Sequence, residues 1–536
     1  MNGELELNMR WIVLVAFGFS GAAALIYEVV WTRALSIILG STTYALSTLL
    51  STFMAGLALG GFIGGRLADR GKNLLLIFGL LELGIGIFGV VTIPLIHMMP
   101  PLYFKIYRAF HLSPAVYFFC QFLLCSAIML IPTTFMGATF PVVSKRVTTS
   151  VKEMGKWVGS AYSFNTFGAI IGSFSAGFIL MPVFGVRLAA IIAACLNISV
   201  ALAMTVMSRA RIKGSIVVGL IILFTVPLVA AAVSRGDKWQ MTYYIAQRYE
   251  NYEQLEEERK GSVVLTDRDY MEGRVKAWRN RDGFLVLQVG GKIEGTSYVD
   301  MINTLLLAYL PIASHNDSPK SFLTIGLGAG VTLYAAKPYV SDMYLAEINR
   351  GVLDAVGRFG PPGLLRDVKI TVNDARNFLL LTDKKFDIIS SEPSYPTESS
   401  VGNLFTKEFY DLASSRLNPG GVYCQWLPYY ELSDNDVNMM VKTFGSAFRY
   451  VYVWSVSQSL DILLVGSNTP FAYDPQEIMS RVDMLNRTGF PLTFALLKGP
   501  EQVQDVVRDA SAIPLNTDDR PLLEFHAARN LLRSAF

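Results

Sequence analysis

Residues 323–333 read LTIGLGAGVTL, an apolar run that breaks at Gly326, Gly328 and Gly330 and resumes with helical periodicity. A buried strand that enters a helix through such a turn presents free backbone N–H groups, and glycines let a ligand approach them closely. About 20 residues further on, a second apolar strand, Met343–Ala346, ends in Glu347. An acid at that spacing suits the two hydroxyls of a ribose. The pairing predicts nucleoside binding, with a plain strand–helix turn as the alternative. Asp374 and Glu392 follow two further strands. Together these positions form one rim, and a carboxylate there can bind a polar ligand or accept a proton.

The elements that must position this rim alternate from Ser321 onward. Strands are expected near 321–325, 343–346, 368–372, 386–390, 422–426, 450–454 and 461–465, with helices between most of them. That pattern predicts a doubly wound parallel sheet, with ligands beyond the carboxyl ends of the strands where the winding reverses. The last two strands are too close for a parallel crossover and should pair antiparallel. Upstream, Ser262–Leu265, Arg274–Trp278 and Phe284–Gln288 read as a three-stranded meander closed by Gly290–Gly291. A helix is expected over Tyr298–Leu310, stopping at Pro311. The domains are therefore 1–233 apolar helices, 234–260 linker, 261–311 meander and helix, and 312–536 α/β domain.

Of the 536 residues, 52% are hydrophobic and 17% charged, averages that conceal two unlike halves. Seven stretches have the length and apolarity of membrane spans: Trp11–Val30, Ala45–Gly64, Leu74–Ile96, Ala115–Gly137, Val158–Leu180, Leu188–Val206 and Ile216–Val233. The fold class is an N-terminal all-α multi-pass membrane domain of about seven helices plus a C-terminal α/β Rossmann-like domain. Gly56, Gly60 and Gly64, then Gly168 and Gly172, recur at the spacing that lets helices pack closely in lipid. Glu28 and Asn165 lie within spans, where a polar group suggests function by default. Basic residues concentrate in alternate loops (Arg66, Arg70, Lys72, Lys145, Arg146, Lys152, Lys156), which places that side in the cytoplasm of a plasma-type membrane. With seven spans the C-terminal half then falls on the opposite side, although adenosine-based donors are made inside.

From Gly261 to Phe448 the chain resembles the spermidine synthase family of polyamine aminopropyltransferases, which join a β-meander to a methyltransferase-type sheet. The resemblance rests on the glycine turn, on Tyr298–Met301 (YVDM) beside the family's Tyr-x-Glu-Met, and on Gln425–Trp426. It implies that Gly326, Gly328, Gly330 and Glu347 hold decarboxylated S-adenosylmethionine, with Asp374 and its neighbour Ala375 at the adenine. It implies Glu392 as the catalytic base and Tyr298, Asp300, Tyr395 and Gln425 on the substrate side. Membrane-fused relatives resemble the whole chain, including Glu392–Pro393–Ser394 and the tail Asn516–Pro521. The departures are chemical. Ala329 stands where the family has the Asp that holds the donor's amine. Glu392–Pro393–Ser394–Tyr395–Pro396 replaces Asp-Ser-Ser-Asp-Pro, so a second amine-binding carboxylate is missing. A polycation held out of water needs such partners. Glu294, Asp300 and Glu398 are the acids in reach of that role.

Three functions remain open on these residues: aminopropyl transfer from decarboxylated S-adenosylmethionine to a small amine such as putrescine, methyl transfer from intact S-adenosylmethionine, and ligand sensing or transport without turnover. No prosthetic group is expected. His97, His111, His315 and His526 have no metal-ligand spacing, and a net charge of +3 gives no reason to expect nucleic acid. The lipid bilayer is the expected partner, with a second copy of the chain as a further one. Asn516–Arg520 reads as a surface turn with an Asp–Arg pair.

Overall fold

The computed structural model describes residues 2–39, 42–109, 114–208, 253–254, 260–270, 272–298, 300–398, 401–429, 432–457, 461–508 and 513–530. The expected span Ile216–Val233, nearly all of the 234–260 linker, and Val299 lie outside them. The chain divides into two compact units at Arg248/Tyr249, with Ser41–Thr43 grouped with the second.

Among the described residues of the first unit, five segments are long and apolar enough to cross a membrane: Glu6–Ser36, Thr43–Arg70, Leu74–Ile96, Phe119–Val147 and Val151–Met207. They belong to helices α1 (Asn2–Leu39), α2 (Thr43–Arg70), α3 (Leu74–Ala109), α4 (Pro114–Val147), α5 (Met154–Ser175) and α6 (Met181–Met207). The last segment, at 57 residues, is far longer than the roughly 20 that a bilayer needs. It contains two of the expected spans, joined by a π-helical stretch, Ala176–Leu180. Gly185, at φ 78° and ψ 164°, interrupts α6 near its start. Both α5 and α6 pack against α1.

The spaced glycines work as contact points. A Cβ on Gly168 would stand 1.8 Å from the Gly18 carbonyl oxygen, one on Gly172 2.1 Å from that of Ala22, and one on Gly60 2.0 Å from that of Thr134. Backbone thus lies on backbone between α5 and α1 and between α2 and α4. Asn165 belongs to the same seam, donating from Nδ2 to the Phe17 carbonyl at 3.2 Å. A polar group not singled out in the sequence lies deeper. Glu82 of α3 is fully buried. It accepts the Ser20 hydroxyl of α1 at 2.5 Å and the Asn197 amide of α6 at 2.7 Å, so one carboxyl group ties three helices together.

The second unit begins with a meander of four strands, not three: β1 (Val263–Asp269), β2 (Arg274–Arg279), β3 (Leu285–Val289) and β4 (Lys292–Thr296), paired antiparallel in that order. Gly290 (φ 59°) and Gly291 (φ 92°) do not end the meander. Val289 pairs with Lys292, which leaves a two-residue loop with both φ positive, the turn whose twist suits a hairpin. Helix α7 (Met301–Ser314) runs through Pro311 instead of stopping there. Proline lacks the N–H that would bond the carbonyl four residues back. The Ser390 hydroxyl donates to that carbonyl, Leu307 O, at 2.8 Å.

The large sheet has the order β12-β10-β11-β9-β8-β5-β6-β7. Its strands are β5 (Ser321–Ile325), β6 (Asp342–Glu347), β7 (Val368–Val372), β8 (Phe386–Ser391), β9 (Leu417–Pro428), β10 (Tyr450–Val456), β11 (Asp461–Ser467) and β12 (Phe494–Lys498). The crossing helices of the parallel part are α8 (Val331–Ala336), α9 (Arg350–Phe359), α10 (Ala375–Leu381) and α11 (Lys407–Ser415). β5 through β9 pair parallel. β11 pairs antiparallel with β9 and with β10, as their short connection requires. β12, absent from the sequence expectation, extends that edge. Side chains of β5 alternate between two cores, Phe322 toward one, Leu323 and Ile325 toward the other, as expected where helices cover both faces.

Gly168→Ala should lower the unfolding temperature in detergent through overpacking worth about 1–3 kcal/mol. Gly61→Ala, whose Cβ meets nothing within 4 Å, is the control and should leave it unchanged. Equal melting of the two variants would show that the α1–α5 seam is not close-packed.

Candidate functional site

The winding of the sheet reverses at β5, which has β6 on one side and β8 on the other. The loops after β5 and β8 therefore meet. The Glu392 N–H donates to the Ile325 carbonyl at 3.0 Å. A Cβ on Gly326 would stand 2.6 Å from the Glu392 carbonyl oxygen, and Gly326 also takes φ 82°. Only glycine satisfies both demands. Gly328 (φ 49°) and Gly330 (φ 84°) complete the turn, with Gly330 heading α8. Strand β4 crosses above: a Cβ on Gly295 would meet the Ala329 nitrogen at 2.8 Å.

Glu347 closes β6 in a buried position. Its Oε2 accepts the Leu327 N–H of the glycine turn at 2.9 Å, and its Oε1 accepts the Asn349 N–H at 2.8 Å. Each carboxylate oxygen keeps a second lone pair for a ligand hydroxyl. Burial pushes its pKa up to about 7, against those two hydrogen bonds. Asp374 heads α10, where one oxygen accepts the Asn377 N–H at 3.0 Å; Ala375 follows, buried. The next residue, Arg376, pairs through both guanidinium nitrogens with Asp518. The tail does form the expected turn, with the Thr517 and Arg520 backbones bonded to each other, but its Asp518 pairs outward with Arg376. Asn516 is fully buried, giving its amide to the Phe405 carbonyl at 2.9 Å and accepting the Leu523 N–H at 3.0 Å.

Glu392 is the centre of a group of acids. Its pKa is pushed up to about 8, first by burial, then by the charges of Asp300, Asp461 and Glu294, against a hydrogen bond from Thr332. The Thr332 oxygen lies 2.9 Å from the Thr304 carbonyl and 3.2 Å from Glu392 Oε2. A hydroxyl has one proton, and the carbonyl has none to offer. The Thr332 proton is therefore shared between the carbonyl and Glu392, and its bond to the carboxylate offsets only part of the rise. Asp300 heads α7, its Oδ2 accepting the Thr296 N–H at 2.9 Å. Asp461, buried, is bonded to the Asn303 amide of α7. Asp461 was not legible as a site residue. It opens an antiparallel strand, and only that reversal of direction brings a strand's first residue to the rim where the parallel strands end.

Beyond Glu392 the loop meets β4. Lys292, with a side chain only 1% exposed, donates to the Ser394 hydroxyl at 2.8 Å. Its ammonium lies 3.5 Å from Glu294, 3.7 Å from Glu398, and 3.1 Å from the ring centroid of Tyr395. Tyr395 in turn stands edge-on to Trp426, with centroids 5.4 Å apart. Gln425 is fully buried, its amide taken up by the Tyr423 hydroxyl at 2.6 Å and the Trp426 carbonyl at 3.1 Å. Tyr298 is 51% exposed and stacks on Phe284. The structure therefore gathers the glycine turn, Glu347, Glu392, Asp300 and Tyr395 through shared neighbours, while Tyr298 stacks outward on Phe284 and Gln425 is bonded within β9.

The strand order defines a methyltransferase-type Rossmann-like domain. Residues 300–458 match the spermine/spermidine synthase domain. A spermidine synthase from Dictyostelium discoideum is 30% identical over 145 residues, 26% of this chain and 50% of that protein. A polyamine aminopropyltransferase from Serratia proteamaculans is 30% identical over 148 residues, again 26% and 50%; the chain spans about half the length of these relatives. A polyamine aminopropyltransferase from Oceanobacillus iheyensis is 20% identical over 469 residues, 86% of this chain and 83% of its own. An alignment of that length runs into the helical half. The crystal structure of a Thermotoga maritima spermidine synthase is 19% identical, with TM-score 0.35, covering 47% of this chain and 84% of its own.

In the unfolded chain Glu392 loses its proton near 4.5, whereas in the site it does so at about 8. Between those values the folded state binds more protons than the unfolded, so this group's contribution to stability falls as pH rises. Glu392→Gln should therefore gain stability relative to the natural chain as thermal unfolding is moved from about pH 4 to about pH 8.5. A difference independent of pH would mean that the carboxyl ionises as freely as in water.

Proposed function

We propose that the C-terminal domain transfers an aminopropyl group from decarboxylated S-adenosylmethionine to a small amine such as putrescine, and that the helical half holds it at a membrane. The observation that carries this reading is the meeting of the glycine turn with Glu392 at the point where the sheet reverses, among acids that suit cations. The turn and Glu347 would hold the nucleoside, with Asp374 and Ala375 beside its base. Asp300, with Asp461, takes the place of the carboxylates missing from the familiar motif, and faces two cationic partners, a sulfonium and an amine. Tyr395 walls the amine side; Tyr298 and Gln425 are assigned to the substrate side by resemblance alone. The acceptor nitrogen attacks the propyl carbon bound to sulfur. The C–S bond breaks with its electron pair passing to sulfur, which leaves methylthioadenosine, and the proton released from nitrogen goes to Glu392. Relatives named polyamine aminopropyltransferase support the reading.

The purified full chain, given decarboxylated S-adenosylmethionine and a panel of amines including putrescine, should release methylthioadenosine and an aminopropylated amine in equal amounts. Glu392→Gln should lower kcat by about 100-fold or more, the usual worth of a positioned base. For the natural chain, kcat/KM should climb as pH rises toward about 8, because Glu392 must ionise before it can accept a proton. No product with any amine, or methyl transfer from intact S-adenosylmethionine, would overturn the reading.

A further inference from the structure

We propose that the Lys292 ammonium permanently fills the place where a second amine of the acceptor would bind, so that the acceptor presents one amine rather than two or more. This deepens the reading above and rests on it. An alkylammonium out of water is recognised by carboxylates, a hydroxyl acceptor and an aromatic face. Lys292 has all of these: Glu294 and Glu398, Ser394 Oγ and the ring of Tyr395. The Ser394 hydroxyl in turn donates to Glu294 at 2.8 Å, so the set is linked internally. Three of the partners, Ser394, Tyr395 and Glu398, lie in the loop that leaves Glu392, on the amine side of the site. The fourth, Glu294, is among the charges that raise both Glu392 and Glu347.

Two of the three acids that could have replaced the lost amine-binding carboxylates are thus already paired within the chain. A buried pair of this kind is broken only at considerable cost, because the carboxylates left behind are uncompensated. A diamine would have to displace Lys292 to gain its second contact. A monoamine would not.

Calorimetric titration of the full chain, saturated with methylthioadenosine, should find butylamine and putrescine binding within about threefold of each other. Lys292→Ala should shift that ratio at least tenfold toward putrescine, whose distal ammonium enters the vacated place. Lys292→Arg, which keeps the charge, should preserve the original ratio. A natural chain that prefers putrescine tenfold or more would overturn the proposal, whether or not the alanine variant folds. So would an alanine variant that still binds methylthioadenosine and loses both amines equally, since Lys292 would then be a fastening between β4 and the loop. Failure of the natural chain to bind methylthioadenosine would instead overturn the nucleoside reading; the amine ratio, measured without it, still decides this one.

Discussion

Carboxylates at one rim repel one another, and something other than charge has to keep them together. Here the sheet does it. The reversal of winding at β5 forces the ends of β5, β6 and β8 into one crevice, and the antiparallel return of β11 adds Asp461. Each acid is then held by neutral donors: backbone amides for Glu347, the Thr296 amide for Asp300, the Asn303 side chain for Asp461. Neutral donors fix a carboxylate in place without cancelling its field. Lys292, paired with Glu294 and Glu398, is the exception. The result is a cluster of acids beside the glycine turn in which Glu347 and Glu392 hold their protons more tightly than a carboxylate in water does.

Much of this is legible in the amino-acid order. The glycine turn is legible from three glycines between an apolar run and a helical one, and gains its weight from the acid that ends the next strand. Glu347 and Asp374 follow from strand ends. The parallel strands read as short apolar runs, and the short connection between β10 and β11 settles their direction. What escapes notice depends on partners remote in sequence. Pro311 looks like a helix end until the Ser390 hydroxyl, 79 residues on, is seen to serve the carbonyl that proline leaves bare. Strand β4 reads KIEGT, with little apolar pattern, and the two glycines before it are as good a stop as a turn. Lys292 and Asp461 are ordinary charged residues until the chain brings their partners to them.

The helical half follows the same rule with different materials. For helices that cross a bilayer, close backbone approach replaces hydrophobic burial as the cohesive term. Gly168 against Gly18 and Gly60 against Thr134 are visible as spaced glycines, though their partners are not. Glu82 is one acid in a long apolar run, and its significance lies in Ser20 and Asn197, on either side of it in sequence and far from it. Glu28, the acid that spacing first draws attention to, is only partly buried.

The buried Asn516 has a consequence for biosynthesis. Its amide closes on Phe405, 111 residues earlier, and Asp518 secures the helix that begins at Ala375. A ribosome adding roughly 5–20 residues per second needs several seconds to a few tens of seconds to pass from one partner to the other. During that interval the nascent sheet has its central strands but lacks their last fastening. Nascent chains of this protein would therefore pass through a stage at which the helix beginning at Ala375 is translated but not yet clamped, and a chaperone acting there would meet a nearly finished domain.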